Sequence, residues 1–204
     1  MTDGSGTPDA SGALTLIGVI RMSEVEQRLS ALPGDLQRLP FRDIAALVIA
    51  CDSDGADLQP AHVVEHNSAL EKVMDSRTVI PAAPGVIFES SLAAREFLKA
   101  RYLPLREALG VVDGRCEFRL HIRGVVGVLD EASPDIYREL RQLAHSSMSL
   151  VKPDQNTFSA GFLVDRASTR QFVGRVEELA AENPDISLDL TGPWPPYDFV
   201  LIRA

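Results

Sequence analysis

Ala13 to Ile20 (ALTLIGVI) is almost uninterrupted in apolar side chains, the pattern of a strand covered on both faces. Pro33, Gly34 and Pro40 break the next segment, and Phe41 to Cys51 (FRDIAALVIAC) reads as a second buried strand. Ser53, Asp54 and Gly55 supply a turn. Pro60 suits the first position of a helix, where its missing N–H costs nothing, and that helix is expected to run to about Asp75 with Val63, Leu70 and Met74 on one face. Thr78 to Pro81 and Gly85 to Phe88 are two short extended pieces around a Pro-Gly kink. After Glu89 a helix carries Leu98, Tyr102, Leu105 and Leu109 at helical spacing, with Pro104 expected to kink or split it.

From Arg115 the period changes to two. Phe118, Leu120 and Ile122 alternate with Glu117, Arg119, His121 and Arg123, which predicts a strand with one solvated face. Ser133-Pro134 reads as the N-cap and first residue of a helix carried by Ile136, Leu140 and Leu143 and reaching towards Ser147, closed by Pro153-Asp154. A strand over Thr157 to Asp165 comes next, then a helix capped by Ser168 with Phe172, Val176 and Leu179 as its buried stripe and Asn183-Pro184 as its stop. Ile186, Leu188 and Leu190 alternate again, and Tyr197 to Ile202 is expected to form a terminal strand. These elements predict an α+β protein: a tail over residues 1–12, one small domain over 13–112 and another over 113–204, each with a partly antiparallel sheet.

Composition narrows the function. The chain has 204 residues and formal charge −9, evenly spread, with 10 basic and 15 acidic residues up to Val112 and 10 and 14 after it. No basic patch for nucleic acid or anionic lipid stands out. No apolar run approaches a membrane span, and TDGSGTPDASG lacks the features of a secretory signal. Cys51 and Cys116 have no partners at metal-ligand or disulfide-framework spacing, so they read as small buried thiols of a cytoplasmic protein.

The one catalytic motif is His62-Val-Val-Glu65-His66, an H-x-x-E-H that places two imidazoles one turn apart, as in inverted zinc proteases. Against it, His62 sits in the first helical turn, where the dipole disfavours a dication, and no third ligand stands out downstream. The plainer reading is a solvated His62 and a core-edge His66. Gly124-Val-Val-Gly127 is assigned to the end of a strand, without the context a phosphate loop requires. Glu177-Glu178 and Asp130-Glu131 are adjacent pairs and read as surface charge. No residue is assigned a catalytic role and no cofactor is expected.

The unusual segment is Gly192-Pro193-Trp194-Pro195-Pro196-Tyr197, which holds the only Trp and three of the 13 prolines. Prolines fix φ, Gly192 permits a positive φ, and aromatic–proline neighbours raise the chance of a cis bond, so a rigid corner with Trp194 and Tyr197 as plates is expected. Such a corner is either a packed core element or an exposed aromatic surface for a partner.

The ending LTGPWPPYDFV resembles the carboxy-terminal signature of the gas vesicle accessory family GvpL/GvpF. It is preceded, as in that family, by a strand ending in FLVDR and a helix of the form F-x-x-x-V-x-x-L. Further resemblance lies in His66 followed by Leu70-Glu71, Thr78-Val-Ile-Pro81, Gly85-Val-Ile-Phe88 and Gly114-Arg-Cys-Glu117. Pro84-Gly85 departs from the Phe-Gly pair typical of the family. The resemblance implies two ferredoxin-like α+β (α/β-sandwich) domains and a non-enzymatic accessory or minor structural protein of the cytoplasm and the gas vesicle. Its implied partners are the shell protein and other accessory proteins, with Gly192 to Tyr197 as the candidate partner-binding corner. The rival readings are a zinc hydrolase on His62, Glu65 and His66, and a generic protein-interaction module.

Overall fold

The computed structural model describes residues 12–22, 35–51, 60–75, 77–151 and 154–203. The expected breaks at Pro33 and Gly34, the turn at Ser53 to Gly55, the closure at Pro153 and most of the amino-terminal tail lie outside these residues. The chain forms two compact units, one taking residues up to Asp113 together with Val200 onward, the other Gly114–Phe199.

In the first unit, β1 (Leu14–Arg21) lies between β3 (Ile44–Ala50) on one side and β4 (Val79–Pro81) and β5 (Ile87–Phe88) on the other, all antiparallel. β2 (Gln37–Phe41) closes the order β2-β3-β1-β4. The expected single strand Phe41 to Cys51 is therefore the end of a hairpin. Arg42 turns the chain with φ 55°, and its guanidinium lies 4.7 Å from the centre of the Tyr102 ring. Pro40 is tolerated because β2 is an edge strand of the described sheet. Gly18 allows β4 to approach, since a Cβ there would stand 2.5 Å from the Ile80 carbonyl oxygen.

Among the described residues, three helices accompany the sheet: α1 (Pro60–Met74), α2 (Ser91–Ala100) and α3 (Tyr102–Val112). Ser90 caps α2 by accepting from the Ala93 N–H at 3.2 Å. The helical run does split, at Arg101, which puts Pro104 in the first turn of α3 where no intrahelical N–H is needed. Leu98, Leu105 and Leu109 are buried as their spacing requires.

The last residues belong to this unit. The expected strand Tyr197 to Ile202 is not formed. Tyr197–Phe199 is a turn, closed by Tyr197 N–H to the Pro195 carbonyl (2.7 Å) and Phe199 N–H to the Pro196 carbonyl (3.2 Å). Two prolines with no N–H to donate cannot start a ladder, and only Ile202 pairs, in a parallel bridge to Ala82. Ile202 N–H donates to the Pro81 carbonyl at 3.0 Å and its carbonyl accepts from Ala83 N–H at 2.8 Å. Because its side chain is 6% exposed, Ile202→Ala is expected to cost the first unit about 2–3 kcal/mol, read as a lowered midpoint in urea.

The second unit runs β6 (Arg115–Arg123), α4 (Val126–Leu140), β7 (Ser146–Ser149), β8 (Thr157–Asp165), a short 3-10 turn (Arg166–Ser168), α5 (Thr169–Glu182) and β9 (Ser187–Trp194). The βαββαβ succession with strand order β7-β8-β6-β9, antiparallel throughout, is the ferredoxin-like topology. Phe118, Phe162 and Phe172 stack at the centre of its core, with ring centroids 5.3–5.6 Å apart for the two pairs that share Phe172.

Four expectations are corrected in this unit. α4 begins at Val126, not at Ser133-Pro134. Its buried row Leu129, Ser133, Ile136 and Leu140 starts a full turn before Pro134, which lies inside the helix. Gly124-Val-Val-Gly127 consequently spans the strand-to-helix junction, where a Cβ on Gly124 would meet Ile186 Cγ2 at 2.7 Å. The helix ends at Leu140, short of Leu143, and Ser147 lies instead in β7, whose sequence SSMS has no apolar alternation. Ser168 occupies the cap position of α5 but makes no side-chain cap hydrogen bond. No helix of the described residues is long and apolar enough to cross a membrane.

Candidate functional site

The Gly192 to Tyr197 corner ends β9 and is built against β6. Gly192 has φ 127°, and a Cβ on it would lie 2.8 Å from the Glu117 carbonyl oxygen and 3.0 Å from Phe118 Cδ1, so both the dihedral and the space demand glycine. The cis bond falls at Gly192-Pro193, after glycine, and not at the aromatic–proline pair Trp194-Pro195. Pro195 and Pro196 are buried, Tyr197 is half-buried, and Trp194 is 36% exposed with its indole N–H donating to Thr191 Oγ1 at 3.2 Å. Trp194 stands opposite Glu117 in the β6–β9 register.

Glu117 is the feature that alternation misread. It occupies the face of β6 expected to be solvated, yet its exposure is 0%. The turn after the prolines folds Asp198 over it: Asp198 N–H donates to Glu117 Oε2 at 2.8 Å, and Arg119 Nε donates to both Glu117 Oε1 (2.7 Å) and Asp198 Oδ2 (2.8 Å). Two carboxyl groups thus share the single hydrogen of one guanidinium nitrogen. Burial raises the Glu117 carboxyl, the Asp198 N–H and Arg119 resist, and the adjacent Asp198 carboxyl adds to the rise, leaving Glu117 pushed up to about 7. The signal that would have found this cluster is the aspartate inside PPYD: a carboxylate at the end of a rigid turn needs a cation or N–H, and Arg119 is the nearest cation on the facing strand.

The H-x-x-E-H residues do not converge. His62 and Glu65 are exposed, whereas His66 is buried. His66 Nε2 donates to the Ala82 carbonyl at 2.9 Å, and burial holds its pKa below the ordinary histidine value against the opposing pull of that carbonyl. Its Nδ1 has no hydrogen-bond partner among the described residues. Among the described residues no group of three or more His, Cys, Asp or Glu side chains is placed to hold a metal ion. Asp130, Glu131, Glu177 and Glu178 are exposed, Glu178 pairing with Arg175 at 2.8 Å alongside Glu139 and Glu182. Cys116 is buried and Cys51 half-buried, both as free thiols.

Fold and corner together define a two-unit α+β protein with two antiparallel sheets, the second ferredoxin-like, ending in a rigid Gly-Pro-Trp-Pro-Pro corner. The family model described as "Gas vesicle synthesis protein GvpL/GvpF" matches residues 16–152 and 128–201, and the chain belongs to that family, whose members take part in gas vesicle formation. Its curated relatives include gas vesicle protein F1 of Halobacterium salinarum, 27% identical over 198 residues (91% of this chain, 92% of the relative), and gas vesicle protein F of Haloferax mediterranei, 26% identical over 203 residues (95% of each). The crystal structure of GvpF from Anabaena sp. has the same fold, with TM-score 0.79 at 17% identity over 93% of this chain and 96% of that one.

Proposed function

We propose that the chain acts as an accessory or minor structural component of gas vesicle assembly in the cytoplasm, binding the shell protein and other accessory proteins, and catalyses no reaction. The observation that carries this reading is Trp194: a large aromatic plate, partly exposed, held by a glycine with no room for a side chain and by two buried prolines. A rigid indole offers contact area with little entropy left to lose on binding. The acidic charge of the chain keeps such a binder soluble while it covers the apolar edges of self-associating shell subunits. The zinc-hydrolase reading draws no support from the dispersed His62, Glu65 and His66.

Trp194→Ala separates binding from folding. With a third of its surface in solvent and one side-chain hydrogen bond, Trp194 is expected to contribute about 1 kcal/mol to the isolated fold, while capture of the shell subunit weakens by about 2 kcal/mol or more. The test is co-purification of shell subunit with the wild type and the variant, beside a urea titration of each. A stable variant that captures shell protein at full strength removes this corner from the binding surface.

A further inference from the structure

We propose that Glu117 and Asp198 form a proton-operated catch on the Trp194 corner: one proton shared by the two carboxyls fastens the Tyr197–Phe199 turn to β6, and its loss loosens the turn. This rests on the reading of the corner as a binding surface only for its consequence, since the catch itself is a property of the protein alone.

The geometry carries it. Glu117 is fully buried, and its two oxygens receive the Asp198 N–H and the Arg119 Nε hydrogen. The same Nε hydrogen is divided with Asp198 Oδ2, so the site holds two carboxyls and one cation. Fully ionised, the cluster has net charge −1, with the Glu117 carboxylate shut off from solvent and Asp198 and Arg119 at its partly exposed rim; with one proton it is neutral and gains an O–H donor between two carboxyl groups that otherwise only accept. The charges acting on Glu117 are Arg119 and Asp198. On the same face of β6, Arg115 is paired with Asp165 at 3.0 Å and His121 is bonded to Ser159 at 2.8 Å. Across the ladders, Glu117 meets Leu163 of β8 and Trp194 of β9, neither of which carries charge.

The turn that would be released comes directly after the Trp194 corner, and Asp198 ties it to β6 through its N–H to Glu117 and its Oδ2 to Arg119. The Glu117 carboxyl, pushed up to about 7, puts the change near neutral pH. Because this folded value lies above the unfolded one of about 4.5, the folded state binds more protons between the two, so stability falls as pH rises through that window and is level above it.

Trp194 is the chain's only Trp, so tryptophan emission of the full chain, excited selectively at the red edge beyond tyrosine absorption, reports on this corner alone. The expected result is an emission transition with its midpoint near pH 7, at unchanged far-ultraviolet circular dichroism. It should be absent in Glu117→Gln, which mimics the protonated form, moved to lower pH in Asp198→Asn, and retained in His121→Gln. A flat wild-type curve between pH 5.5 and 8.5 would overturn the proposal, as would a transition that survives Glu117→Gln or vanishes in His121→Gln. If Glu117→Gln does not fold, the Asp198→Asn midpoint decides: a downward shift supports the catch and an unmoved midpoint sinks it. No partner is present in this measurement, so failed shell capture and a failed catch are separate outcomes.

Discussion

Arg119→Met is expected to destabilise the second unit by about 3–5 kcal/mol at pH 8, because it strands two carboxylates in the place where one guanidinium nitrogen now serves both. The aliphatic replacement preserves most of the volume, so the loss reads charge rather than packing. The loss should shrink at pH 5. There Glu117, already raised by burial, takes a proton and needs the cation less. Urea unfolding of wild type and variant at both pH values checks this. Equal losses at the two pH values would show that Arg119 acts through its stem alone.

Gly192→Ala is expected to cost about 3 kcal/mol. A φ of 127° is a conformation L-residues rarely adopt, and a Cβ 2.8 Å from the Glu117 carbonyl oxygen presses on the backbone of β6, which cannot swing aside as a long side chain would. Since the displaced strand carries Glu117, the same variant should weaken the bonds to Asp198 and increase solvent exposure of Trp194. A lowered midpoint in urea with a red-shifted emission is the expected pair of results; full stability would mean that the corner can be rebuilt without its glycine.

The parts of the fold that were legible in the sequence are those whose apolar residues either keep one period or run together in a strand covered on both faces. β6 alternates from Phe118 to Ile122, β8 is buried on both faces from Ser159 to Val164, and α5 presents Phe172, Val176 and Leu179 on a single stripe. Where a local signal competes with the pattern, the signal misleads. Ser133-Pro134 has the chemistry of a helix start, but tertiary packing of Leu129 draws the helix back to Val126 and leaves proline inside it. The Arg42-Asp43 turn has neither glycine nor proline, so β2 and β3 merged into one run. YDFVLI has strand propensity, yet Pro195, Pro196 and the Asp198 bonds hold its start in a turn.

The corner itself was visible because glycine, proline and tryptophan rarely concentrate by chance, and each has a physical reason to be there. The cluster beneath it was hidden by the rule that revealed β6. Alternation assigns Glu117 to solvent, and only a contact 81 residues away in sequence, from Asp198, encloses it. Long-range closure of this kind leaves no periodicity to read. Its sequence marks are two residues of one strand, Glu117 and Arg119, and the aspartate that ends PPYD.

The claim that Gly192 to Tyr197 is a binding surface is tested most directly by hydrogen exchange of the full chain with and without the gas vesicle shell subunit. The prolines of the corner have no amide to exchange, so the readout rests on Gly192, Trp194, Tyr197 and Asp198, with Glu117 and Phe118 on the strand behind them. The shell subunit is expected to slow exchange in the peptides covering residues 190–199 and 116–119, and Trp194→Ala to abolish this slowing. Binding that protects other segments and leaves residues 190–199 exchanging as in the free protein would contradict the claim.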